Sequence, residues 1–166
     1  MSALDSPINP FGVDAYGVPR AFTAAVTEFA EITKLDAQAL LRGDSLQIKE
    51  FNFWFQHYGE YDPAGLTIFV DIGTAENLTP EQEIPVLRQL LENNANNPAG
   101  LCGFFARLPD GGQIVYGFRL ALDQTANGGE AVAEMLLSLV SATQLMRDTL
   151  AQSAEILEQN MAEFSA

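Results

Sequence analysis

Histidine and cysteine occur once each in this 166-residue chain, as His57 and Cys102. Together they could form a thiol–imidazole dyad, in which the ring takes the thiol proton and frees sulfur for nucleophilic attack. Neither has an activating motif around it, and both fall in segments that read as strands, so a structural or incidental role is expected for each. One His and one Cys cannot supply the N/S ligand set of a tetrahedral zinc site from a single chain. Glu60, Asp62 and Asp71, near a turn and a strand end, are the remaining candidates for acid–base work or a hard cation. Their spacing matches no calcium loop, and among 22 acidic residues such a grouping is expected as solvated surface. Gly111-Gly112 and Gly128-Gly129 lack the GxGxxG or GK[ST] setting of a phosphate loop. An enzyme would need Cys102 and His57, or an acidic pair, to converge in a pocket. No cofactor, no metal and no catalysis is the expectation.

The composition bounds the partners. Apolar residues make up 48% of the chain and charged residues 18%, which fits one folded domain rather than disorder. Eight Lys+Arg against 22 Asp+Glu leave a formal charge of −14. Such a field repels phosphate backbones and anionic lipid head groups, and the basic residues are scattered from Arg20 to Arg147 without a patch. Nucleic acid and membrane are therefore not expected as partners. With no basic, apolar leader at its start and a single cysteine, the chain reads as cytoplasmic.

The elements that must position these residues follow from periodicity. Residues 1–18 carry Pro7, Pro10, Gly12 and Gly17 without a period and read as an irregular arm. Residues 19–166 read as a single α+β domain with a long last helix. Phe22, Val26, Phe29 and Ile32 recur at helical spacing on a first helix of about 19–34. Ala37–Leu41 either extends it or forms a separate turn. Leu46 and Ile48 alternate, then Phe51, Phe53 and Phe55 alternate on the opposite parity, which demands a bulge or break near Lys49-Glu50. Leu66, Ile68, Val70 and Ile72 mark the next strand. Thr79-Pro80-Glu81-Gln82 is a helix start with a hydroxyl cap and Gln three residues on, although Pro85 inside it moves the effective start to either residue. Leu101–Leu108 and Gln113–Leu122 flank Pro109-Asp110-Gly111-Gly112, a hairpin signal. After Asn127-Gly128-Gly129 breaks the chain, a last helix over 130–160 is marked by Val132, Leu136, Leu139, Thr143, Met146 and Leu150. The order is α–β–β–α–β–β–α with a mostly antiparallel sheet packed with helices.

The surplus in this chain is apolar. Phe51, Phe53, Trp54 and Phe55 put aromatic residues on both faces of one short strand, where a sheet with one wet face keeps one side polar. Either helices cover both faces, or one aromatic set awaits a partner.

Residues 45–146 and the leading helix resemble the class I type III secretion chaperones, the Tir-chaperone-like family. The resemblance is carried by the Leu66–Gly73 strand ending in Ile72-Gly73 and by the helix Pro80–Asn93 ending in Leu90-Leu91-Glu92-Asn93-Asn94. It continues through Gly100–Ala106, Gln113–Leu120 and the Leu- and Ala-rich last helix. What it implies is a cytoplasmic, non-catalytic homodimer that binds the N-terminal segment of a secreted effector in extended form and keeps it secretion-competent. It further implies an effector groove at Phe22, Val26, Phe29, Phe53, Trp54 and Phe55, and a dimer interface at Leu87, Leu90, Leu91, Phe104 and Tyr116. The same fold occurs in YbjN-like proteins, so the alternative is an acidic regulatory or scaffold module that binds a folded partner.

Overall fold

The computed structural model describes residues 9–96 and 103–164, with side chains placed to residue 151. Four α-helices and five strands follow in the order α1 (Arg20–Thr33), α2 (Ala37–Leu41), β1 (Leu46–Ile48), β2 (Phe51–Gln56), β3 (Gly65–Thr74), α3 (Pro80–Asn96), β4 (Gly103–Arg107), β5 (Gln113–Ala121) and α4 (Gly128–Phe164). The strands form one antiparallel sheet in the order β1-β2-β3-β5-β4. This is the expected α+β class, with a short helix and a strand more than the sequence pattern separates.

Both additions have local causes. Lys34 adopts a left-handed conformation (φ 59°) and its N–H closes α1 on the Ala30 carbonyl. Asp36 then accepts from the N–H groups of Gln38 and Ala39 at 2.9 and 3.3 Å, so α2 is a separate, capped turn rather than an extension of α1. The parity change before Phe51 is a chain reversal at Lys49-Glu50, with Lys49 at φ 54°, which splits β1 from β2.

The capping box at α3 forms reciprocally: Thr79 N–H donates to Gln82 Oε1 at 3.0 Å, and Gln82 N–H donates to Thr79 Oγ1 at 3.4 Å. The helix therefore starts at Pro80 and runs through Pro85, whose missing N–H removes one bond near the first turn. The hairpin between β4 and β5 closes with Leu108 N–H on the Gln113 carbonyl at 2.8 Å, and both Gly111 and Gly112 take positive φ.

The chain divides into two compact units. The first comprises the chain up to Leu46, Trp54–Ile68 and Arg119–Leu136. Its core is the buried stripe of α1 with Phe55, Leu66, Ile68 and Val132, and Phe29 meets Phe55 edge-to-face at 5.6 Å. Here α4 starts two residues before the expected point. A Cβ on Gly129 would lie 2.7 Å from the backbone nitrogen of Phe29, so glycine permits close packing on α1. Glu28 accepts from Gly129 N–H at 3.0 Å and sets a carboxylate at the positive end of α4.

The second unit comprises Gln47–Phe53, Phe69–Phe118 and the chain from Leu137. It buries Phe51, Phe53, Val70, Leu90, Val115, Tyr116 and Leu139, and Arg147 lies 4.5 Å over the Phe51 ring. Thr143, fully buried on α4, donates to the Leu139 carbonyl at 2.6 Å.

Candidate functional site

Three of the five chemistry-bearing candidates, His57, Asp62 and Asp71, make local contacts in the fold. His57, just past the end of β2, accepts from Gly59 N–H at 3.2 Å on Nδ1 and meets Phe22 edge-on at 5.0 Å. Cys102 lies outside the described residues. Asp62 is gripped by both arms of the Arg119 fork at 2.6 and 2.7 Å, which holds its carboxyl below the ordinary carboxylate range. Asp71 accepts from the Gln113 amide at 2.8 Å and from Gly73 N–H at 3.0 Å. Glu60 stays exposed. Among the described residues no three His, Cys, Asp or Glu gather as metal ligands, and no helix is long and apolar enough to cross a membrane.

Two surfaces hold the expected binding and interface residues. In the first unit an open cleft of about 250 Å³ lies beside β2, walled by Phe22, Leu41, Trp54 and Phe55 with Arg42, Gly43, Gln56 and His57. The strand alternation explains it. Phe51, Phe53 and Phe55 point into the protein, while Asn52, Trp54 and Gln56 form the other face, where Trp54 is half-buried. The aromatic set on that face is therefore one indole. Of the six residues assigned to a groove by resemblance, Phe22, Trp54 and Phe55 wall the cleft. Val26, Phe29 and Phe53 are fully buried core. Leu41, Arg42, Gly43 and His57 complete the cleft, and no spacing in the sequence singles them out, because α2 and its exit turn are brought to β2 by tertiary folding.

In the second unit exposed apolar residues sit on α3 and β4, and also on α4 at Leu137 and Leu145. Ile84 and Leu91 are 56% and 69% exposed, and Leu87 between them is half-buried, so the i, i+3, i+7 row is a lateral face of α3. Leu90 is turned inward and buried, as is Tyr116 on β5. Phe104 is 39% exposed, stands opposite Gly117 in the β4–β5 register, and meets Phe69 edge-on at 5.8 Å. A side chain at Gly117 would occupy the space of both rings. The five residues assigned to a dimer interface thus divide into two that are buried, Leu90 and Tyr116, and three that reach the surface, Leu87, Leu91 and Phe104.

The edge of the sheet at β4 is occupied from within. Asn94 near the end of α3 accepts from Phe105 N–H at 2.6 Å and donates to the Phe105 carbonyl at 3.1 Å, standing where a neighbouring strand would. Arg107 on the same strand pairs with Glu83 of α3. The opposite edge of the sheet is β1.

No family model and no curated protein matches the chain. Among solved structures, it is similar to a chain in the crystal structure of the ExsC-ExsE complex, with a TM-score of 0.58 at 17% identity over 77% of this chain and 92% of that one. A chain in the ExoT-SpcS complex from Pseudomonas aeruginosa aligns over 75% of this chain and 95% of its own length, at 17% identity and a TM-score of 0.45. The chain shares the α+β fold of that chain of the ExsC-ExsE complex. The likeness to the ExsC-ExsE chain spans most of that chain, so it concerns the whole architecture rather than one motif.

Proposed function

We propose that this chain is a non-catalytic, cytoplasmic chaperone that binds, as a homodimer, the N-terminal segment of a type III secreted effector in extended form and keeps it secretion-competent. The observation that carries this reading is the open cleft under Trp54. An extended segment pairing with β1 would find backbone donors and acceptors at a sheet edge, and the cleft offers apolar walls for a side chain. Backbone pairing then supplies affinity and the pocket supplies selectivity. At Phe105 the other edge already has its N–H and carbonyl satisfied by Asn94, which favours β1 as the accepting strand. The fold supports the reading, as does the resemblance in residues 45–146. For the dimer, the apolar row Ile84, Leu87 and Leu91 on α3 with Phe104 is the proposed contact between copies.

The test is co-expression with candidate effector N-terminal segments, followed by the solution mass from light scattering. Capture of one segment by a particle near 36 kDa, twice the 18.0 kDa chain, is expected. Trp54→Glu should abolish capture while leaving the mass and the melting curve unchanged, because the indole is half-buried on the outer face of β2. Capture that survives this substitution would remove the cleft from the reading. A chain that captures none of the segments would overturn it.

A further inference from the structure

The first unit carries a second surface that the cleft does not use. Tyr16 and Tyr61 are 92% and 99% exposed, and Tyr58 is 41% exposed, so these rings contribute little to the core. The loops that bear them are adjacent: a Cβ on Gly59 would meet the Gly17 carbonyl oxygen at 3.2 Å. Both loops are also shaped by their own hydrogen bonds. Asp14 Oδ1 accepts from the N–H groups of Tyr16 and Val18 at 2.8 and 2.9 Å, and Tyr61 N–H donates to the Tyr58 carbonyl at 3.2 Å. Rings presented on a prearranged backbone lose little freedom when a partner arrives, which is why tyrosine is frequent where interfaces concentrate their energy.

The charge beside these rings is acidic. Among the described residues, Asp14 Oδ2 accepts no hydrogen bond, and exposed Glu60 next to Tyr61 pairs with no cation. Of the nearby cations, Arg119 lies with both arms on Asp62, while Arg20 donates to the Asn9 carbonyl and its charge also acts on Asp14. Exposed rings and carboxylates carried on adjacent loops suit a guanidinium, which stacks on a ring and donates to an oxygen in the same plane.

We propose that Tyr16, Tyr58 and Tyr61, with Asp14 and Glu60, form a docking surface for an arginine-bearing segment of a partner protein. This surface shares no residue with the cleft lining, and it stands whether or not the effector reading holds. A folded chain of charge −14 attracts any basic peptide in a general way, so the test must separate the patch from the field.

The probe is a fluorescently labelled peptide of alternating arginine and serine, titrated by anisotropy against the full chain. The double variant Tyr16→Ser and Tyr61→Ser leaves the net charge unchanged and should weaken binding by about tenfold or more. Asp110→Asn, in the β4–β5 turn, removes a charge at a residue that is not part of the patch and should leave binding within about twofold. Equal binding by the double variant, or an equal loss with Asp110→Asn, would mean that the field alone holds the peptide and would overturn the proposal. A melting curve confirms that the double variant is folded. Light scattering adds a further check: a drop in its mass relative to the parent chain would show the tyrosines covered by a second copy, which also overturns it.

Discussion

The two units differ in which large side chains they expose most, and in what carries them. In the first, the most exposed are Tyr16 and Tyr61 on short loops, ahead of Ile32 and Leu35, with a half-buried tryptophan beside a cleft. In the second, they are aliphatic side chains on helices, Leu137 and Leu145 on α4 and the row on α3, with Phe104 on an edge strand. Loop-borne tyrosine joins a large contact area to a hydroxyl that tolerates water, which suits a surface that is bare part of the time. A row of Ile and Leu on a helix gains nothing from water and is better suited to continuous cover by another helix.

Breaking the cores should be the largest effect, and should spare neither role. Phe53→Ala removes a fully buried ring and is expected to destabilise by about 3–5 kcal/mol in denaturant unfolding. A value under about 1 kcal/mol would mean that this strand face is not the core described above. Gly129→Ala forces a methyl group against the Phe29 backbone, and a loss of about 2–3 kcal/mol is expected because a helix, rather than a flexible side chain, must move.

Leu91→Asp sharpens the comparison in the second unit alone. With 69% of the residue exposed, unfolding stability at low concentration should change by less than about 0.5 kcal/mol, while the mass falls to that of one chain. An unchanged dimer mass would place the contact between copies elsewhere.

The smallest effect belongs to the ion pair of the first unit. Arg119 holds Asp62 below its ordinary pKa, so the pair stabilises the fold above the unfolded carboxylate value of about 3.9 and fades as pH falls through the lowered folded value. Arg119 is nearly half exposed, and solvent screening keeps the contribution to about 0.5–1 kcal/mol. Asp62→Asn should therefore lower stability by that amount at pH 7 and converge with the parent chain at low pH. A gap that persists in acid would assign the effect to the turn at Asp62 rather than to charge.

Much of the local structure was legible in the residues. The capping box at Thr79 and Gln82, the Gly111-Gly112 hairpin and the parity break at Lys49-Glu50 each depend on a few neighbours in the chain, and each forms. The cleft was legible only in part. Phe22, Val26, Phe29, Phe53 and Phe55 show the same spacing whether they face a core or a partner, because both destinations require only that alternate or helical positions be apolar. Burial settles that all five belong to the core, with Phe22 and Phe55 also walling the cleft.

The residues from Arg20 onward therefore determined, through backbone propensity and hydrogen bonds between near neighbours, where the main helices, turns and strands lie. Strand order, the inward turn of Leu90 and Tyr116, and Asn94 standing in for a missing strand at Phe105 are pairings across long stretches of chain. So is the meeting of the Tyr16 and Tyr58 loops. Sequence spacing carries no record of such pairings, since closing those loops costs entropy that only the assembled core offsets.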